Sequence, residues 1–295
     1  MNQPDRSTYF GSSDIAPILG ISPWRTKLDV FLDKTQGQRE VSEDKKAIFR
    51  RGKRLEPYIL DMYAEDTGED LVKRNERYTD PVYTFMAAEI DAETGTGKNV
   101  EAKSTHQFGG KVWGEEMTDE IPVYYHAQGM FGLAMTGAES VEFPVLVGID
   151  DFRIYRAYRD EQIIANLKKA ANEFWTDHIL TGIPPEATTV SDLERLFPWD
   201  HGTIIQATDA IRDTVLHLKD IKKKIKLFED DKEEAEKLIK LFMGEHQVLK
   251  YGADQLLSWK SQKARLFDAK AFSAKHPAIS EKFRYDSVSR VLRIK

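Results

Sequence analysis

Residues 85–105 read FMAAEIDAETGTGKNVEAKST, and the fold depends on how this stretch is read. The alternating run from Tyr83 to Ile90 predicts a strand that Asp91 closes. Gly95 and Gly97 mark a turn, and Lys98 to Ser104 predicts a second short strand. Residues two apart on a strand share a face. Glu101 and Lys103 therefore point one way, and Val100 and Ala102 the other. Paired as a hairpin, the two strands bring Asp91 beside Glu101. Two adjacent carboxylates repel, and a divalent cation relieves that repulsion. A lysine beside them polarises or deprotonates a water near a phosphate. A solvated hairpin in a chain with 31% charged residues has the same spacing, so the rest of the chain must decide.

At 295 residues the chain holds one large domain, or one domain with an appendage. Hydrophobic content of 41% and aromatic content of 11% suffice for a core. No run of eighteen apolar residues is present, and MNQPDRSTYF has no apolar signal-peptide core, so a cytoplasmic protein without a membrane span is expected. Cysteine is absent, which excludes a thiolate nucleophile, a thiolate zinc site and a cysteine-ligated cluster. Any metal must be held by oxygen or imidazole. The charge is asymmetric: residues 1–200 hold 23 Lys+Arg and 35 Asp+Glu, whereas residues 201–295 hold 20 and 14. An acidic body with a basic extension fits a metal-dependent enzyme with a separate phosphate-gripping part, and fits equally a solvated helix with a lysine-rich face.

Along the chain, Ser12 and Ser13 cap a helix from Asp14 to Leu19 that Gly20 ends. A helix start with a hydroxyl and Arg6 nearby is a place for a phosphate. Thr26 to Gly37 predicts a second helix, and Trp24 before it reads as core or staple. Glu43 to Thr67 predicts a long helix in which Pro57 marks a kink or a new start. Its Glu56 lies on or beside the buried side and needs a cationic partner, an arginine or a metal. Leu71–Tyr78 and Val82–Ile90 read as strands, Tyr124–Met135 as a helix, Val141–Ile149 and Phe152–Tyr158 as a strand pair, and Asp160–Leu180 as an amphipathic helix. This order predicts an α/β domain with a central mixed sheet. His106 and His126 read as local hydrogen-bonding groups.

Beyond a proline-rich linker, Thr203–Phe228 and Asp230–Met243 read as two helices, a helical hairpin joined near Glu229-Asp230. Val248–Lys260 reads as a β-hairpin, Asp268–Lys275 as a helix and Val288–Ile294 as a final strand. The expected division is a domain over residues 1–200 and a basic extension over residues 201–295.

Asp91, a turn, then Glu101-Ala102-Lys103 is the core of the PD-(D/E)xK nuclease motif, without its leading proline. With Gly11-Ser-Ser-Asp-Ile-Ala-Pro-Ile-Leu-Gly-Ile-Ser-Pro-Trp24, Arg51-Gly-Lys-Arg-Leu-Glu-Pro57, Val100-Glu-Ala-Lys-Ser104 and Tyr125-His-Ala-Gln128, the chain resembles the YqaJ-type viral recombinase family over roughly residues 6–180. These are phage-type alkaline exonucleases related to lambda exonuclease. The resemblance implies a restriction-endonuclease-like core, a central mixed sheet flanked by helices. It implies that Glu56, Asp91 and Glu101, with the Ala102 carbonyl, hold Mg²⁺ or Mn²⁺. Lys103 would be the catalytic lysine, Gln128 would place the water or the lysine, and Arg6 with Ser13 would hold a 5′-phosphate.

The activity so implied is metal-dependent 5′→3′ exonuclease action on double-stranded DNA ends, for phage-type recombination in a bacterial host. A ring-shaped homo-oligomer such as a trimer, and a single-strand annealing protein as partner, follow from the same resemblance. Two other readings stand beside it. One is an endonuclease of the same fold, and the other is a non-catalytic DNA-binding assembly protein.

Overall fold

Residues 5–37, 42–286 and 289–294 are described by a computed structural model. The chain divides into two units, residues 1–193 and 194–295. In the first, a 3-10 turn at Arg6–Thr8 leads to α1 (Ser12–Leu19), α2 (Lys27–Thr35) and α3 (Glu43–Thr67). Strands β1 (Leu71–Thr79), β2 (Ala87–Thr94), β3 (Asn99–Val100) and β4 (Lys103–Thr105) follow. Then come α4 (Val123–Thr136), β5 (Ser140–Val147), β6 (Asp151–Tyr158) and α5 (Glu161–Phe174), and α6 (Val190–Leu196) lies at the boundary.

The six strands form one mixed sheet, as the α/β reading expects. β1–β2, β2–β3 and β5–β6 are antiparallel, whereas β3 and β4 both run parallel to β5. Helices cover both faces. On one, Leu60 and Tyr63 of α3 pack on Ala92, Val100 and Ile154. On the other, Asn99 donates to Thr136 of α4 at 3.0 Å. β5 is buried along its whole length, as a central strand covered on both faces must be.

Several boundaries differ from the sequence reading. The strand expected from Val82 begins at Ala87. Asp80 Oδ1 accepts from the backbone N–H groups of Val82 and Tyr83, each at 2.8 Å, and this side-chain turn takes the donors a strand would have used. The strand expected over residues 98–104 is broken at Glu101-Ala102, because Ala102 N–H donates to Asp91 Oδ2 at 3.0 Å instead of to a ladder partner. α3 continues through Pro57.

In the second unit the expected helical hairpin is corrected to one helix, α7 (Asp209–Met243), of 35 residues. Glu229-Asp230 contains neither Gly nor Pro, and ion pairs four residues apart support the helix, such as Lys224–Asp220 at 2.8 Å and Lys240–Glu236 at 2.9 Å. The β-hairpin forms as β7 (Val248–Tyr251) and β8 (Asp254–Ser258). Two short helices, α8 (Ala269–Lys275) and α9 (Pro277–Lys282), follow. Of the expected final strand, Val288 lies outside the described residues and 289–294 is not strand.

Close approach of α4 to the sheet rests on Gly129. A Cβ there would lie 2.5 Å from the ring of Phe143, which is fully buried and has nowhere to go. Gly129→Ala is therefore expected to destabilise the protein by about 1–3 kcal/mol, read as a lowered urea midpoint with an unchanged slope.

Candidate active site

Acids recur at every second position of β2, and their partners differ. Glu89 lies 3.8 Å from Arg77, and Glu93 lies 3.1 Å from Lys73. Between them stands Asp91. The register places Arg74 opposite Ala92 and Glu76 opposite Ile90, so Asp91 faces Asn75. Two of the three acids thus meet a cation across the strand pair, and the middle one meets a neutral amide. Asn75 itself takes a left-handed backbone with φ of 55°, unusual for a non-glycine residue within a strand. Burial pushes the Asp91 carboxyl well above the usual carboxylate range, and the charges of Glu101 and Glu56 add to the effect.

The break between β3 and β4 sets Glu101 and Lys103 beside it. Lys103 Nζ donates to Glu101 Oε1 at 2.7 Å, and Gln128 Nε2 of α4 donates to the same oxygen. Burial works against the Lys103 ammonium, but Glu101 and Asp91 outweigh it and hold its pKa above the ordinary lysine value. Its Nζ also lies 5.1 Å from the Tyr125 ring centroid, a ring that stacks on Trp113. Glu56 reaches toward the group from α3, with Lys53 bonded to both its oxygens at 2.8 and 3.0 Å and to Asn75 Oδ1 at 2.9 Å. Among the described residues no three carboxylate or imidazole side chains converge as a ready ligand set. Lysines occupy Glu56 and Glu101 where a cation would act.

Arg6 and Ser13 also come together. Arg6 Nη2 donates to Ser13 Oγ at 3.4 Å, and the guanidinium lies across Gly11, where a Cβ would come within 3.0 Å of Nη1. Ser12 Oγ beside them is buried and without a hydrogen-bond partner. The cluster is anchored by Asp14, which is 1% exposed and pairs with Arg25 and Lys34, each at 2.9 Å. Burial alone would raise the Asp14 carboxyl, but Lys34, Arg25 and Arg6 hold it below the ordinary aspartate value.

Several neighbours were not legible in the sequence. Tyr9 lies 3.5 Å from both Arg6 and Glu89 by hydrogen-bond geometry, and Arg77 covers its ring at 3.7 Å. These contacts connect the Arg6 turn to β2 through residues with no motif spacing. Trp24, expected as core or staple, is 62% exposed and packs edge-on against Tyr124 at 4.8 Å. His106 Nδ1 accepts from Gly109 N–H at 3.1 Å and so caps the following 3-10 turn, a local role. Burial holds the His126 imidazole below its ordinary pKa.

Residues 3–139 match the family model of the YqaJ-like viral recombinase domain. The motifs at residues 11–24, 51–57, 100–104 and 125–128 all fall within the matched residues. Over 99% of its length this chain is 29% identical to the uncharacterized protein YqaJ of Bacillus subtilis (strain 168), across 92% of that protein. The fold is that of an alkaline exonuclease from Laribacter hongkongensis, with a TM-score of 0.50 and 18% identity over 65% of this chain and 94% of that one. A phage-related exonuclease from Haemophilus somnus 129PT is similar at a TM-score of 0.44 and 15% identity, over 59% of this chain and 96% of that one. No described helix of the chain is long and apolar enough to cross a membrane.

If Glu101 helps raise the Asp91 carboxyl, Glu101→Gln must lower it. Carboxyl-carbon NMR titration is expected to show Asp91 titrating at lower pH in Glu101→Gln than in the parent.

Proposed function

We propose that the protein is a metal-dependent exonuclease that degrades double-stranded DNA from 5′ ends in recombination. The observation that carries this reading is Asp91, a half-buried carboxylate beside Glu101 and Glu56 that lacks the cross-strand cation its neighbours have. Such a group calls for an external positive charge. The oxygen-only donors Asp91, Glu101, Glu56 and the Ala102 carbonyl fit Mg²⁺ or Mn²⁺. A divalent ion there supplies charge neutralisation at the scissile phosphate and a more acidic water.

The chain's own groups then have distinct tasks. Lys103, kept protonated by Glu101 and Asp91, places a positive charge and an N–H donor where a non-bridging phosphate oxygen or the attacking water sits. Gln128 holds Glu101 in place from the rigid α4. Hydrolysis forms a bond from water oxygen to phosphorus and breaks the bond to the 3′ oxygen. Arg6 and Ser13 present donors to a terminal 5′-phosphate, which restricts cutting to an end and sets the direction. The alkaline exonuclease and viral recombinase descriptions of the similar proteins support this reading.

Lys103→Ala is expected to lower cleavage by about 10²–10⁴-fold while circular dichroism shows the fold retained and DNA affinity stays near the parent value. Near-normal turnover in that variant would remove the motif from the mechanism. Asp91→Ala is expected to abolish Mn²⁺ binding by calorimetry together with activity, and activity persisting in excess chelator would rule out the metal.

Linear duplex bearing a 5′-phosphate is expected to be degraded faster than the 5′-hydroxyl form, a preference that Arg6→Glu erases. Equal rates on both forms, or rapid cutting of covalently closed circles, would favour an endonuclease.

A further inference from the structure

Helix α7 runs for 35 residues, about 52 Å at the usual rise, and its large apolar side chains face solvent. Ile211, Ile221, Ile225, Ile239 and the two phenylalanines Phe228 and Phe242, 71% and 78% exposed, all fall on the first and fourth positions of one heptad frame along it. A stripe of this spacing is the seam of a helix pair and needs a cover.

The charges say what covers it. Lys219–Lys226 contains five lysines and one aspartate, and Glu229–Glu236 contains six acids and one lysine. The two blocks are of equal length and lie on either side of Leu227-Phe228, close to the middle of the helix. Ion pairs Lys224–Asp220 and Lys232–Glu236 stay inside their own block, and Lys237 and Lys240 pair with Glu234 and Glu236 from just beyond the acidic block, which keeps an excess of acids. A duplex DNA laid along the helix would meet the acidic block as well as the lysines. A second α7 in parallel would set like block on like block. A second α7 in antiparallel sets each basic block on an acidic one.

One register satisfies both patterns. Setting Ile225 against Phe228 of the second copy brings Ile211 level with Phe242 and Thr214 level with Ile239. The same register sets Lys222 and Lys224, which flank the seam, alongside Asp231 and Glu229. The seam is interrupted at Ile221, which meets Lys232, whose long stem can lie along an apolar surface.

We propose that α7 is a two-fold assembly element that pairs antiparallel with α7 of a second copy of this chain. Opposite charges then select the orientation and the apolar stripe supplies most of the attraction. The proposal does not depend on the nuclease reading, since every α7 residue lies outside the site.

The test is made on the full-length chain by sedimentation velocity. Lys222→Glu with Lys224→Glu is expected to halve the mass of the parent species at micromolar concentration. Glu229→Lys with Asp231→Lys should do the same, and an equimolar mixture of the two variants should regain the parent mass. Circular dichroism checks that each variant keeps its helix. Because the chain has no cysteine, cross-linking reads orientation directly. Ile211→Cys should not form a disulfide with itself, but should form one with Phe242→Cys when the two are mixed under oxidation. An unchanged mass on charge reversal, no recovery on mixing, or self-cross-linking of Ile211→Cys overturns the proposal. So does a loss of duplex DNA affinity in Lys222→Glu with Lys224→Glu at unchanged mass.

Discussion

The site is organised by the carboxylate of Asp91, which shares the charge of Lys103 with Glu101. Its neighbours two positions away on β2 are neutralised across the strand pair by Arg77 and Lys73, and Asp91 faces Asn75 instead. A half-buried carboxylate next to two others is expensive to keep ionised. The surrounding structure is what holds it there. The break between β3 and β4 turns the Ala102 N–H toward it, and the backbone of Asn75 is in a sparsely populated conformation across from it. Strain of this kind persists only where packing over-determines it. Here the packing comes from α3 on one face of the sheet and α4 on the other.

Asp14 shows that burial by itself does not make a reactive acid. It is as deeply buried as any charged group in the chain, yet Lys34 and Arg25 each approach within 2.9 Å and Arg6 within 3.7 Å. Its carboxyl is held down where that of Asp91 is pushed up. The difference lies in the number of cations each meets. Asp14 therefore behaves as a structural anchor. It fixes α1 and α2 against each other and leaves the Arg6 guanidinium, about a third exposed, beside Ser13. The bridge between Phe10 and Met86 then ties this turn to the start of β2, the strand that carries Asp91.

The second unit is governed by a different balance. A 35-residue helix with exposed apolar side chains does not bury enough surface by itself to explain its composition. Its local ion pairs support the helix, and its charge blocks would make it selective about what it meets. Local helix stability and specificity of pairing are thus encoded by the same lysines and acids at two different ranges of distance.

The α/β class, the long α3 and the acid–turn–Glu-x-Lys core were legible because each rests on local signals, periodicity and Gly turns, whereas Ser12 and Ser13 do not cap α1: the helix starts at Ser12 with Gly11 at its N-cap, and Gly11 N–H donates to Asp14. The grouping of Arg6 with Ser13, and of Gln128 with Glu101 and Lys103, was reached through the family's motifs, and the tertiary contacts of this chain agree with it. Other features had no local signature. The strand start moved from Val82 to Ala87 because the side chain of Asp80 competes for the backbone donors. Two expected helices became one α7 because charged residues without Gly or Pro do not break a helix.

The roles of Asn75, Tyr9, Arg77 and Lys53 were invisible in the sequence. Each depends on which residue stands across a strand pair or above a ring, a matter of register. A carboxylate's chemistry is set by the charges within a few ångströms of it, whatever their separation along the chain. The sequence by itself therefore determined which acids and bases this protein has available. Only the tertiary structure decided that Asp14 is neutralised by three cations, that Glu89 and Glu93 are each paired, and that Asp91 shares Lys103 with Glu101.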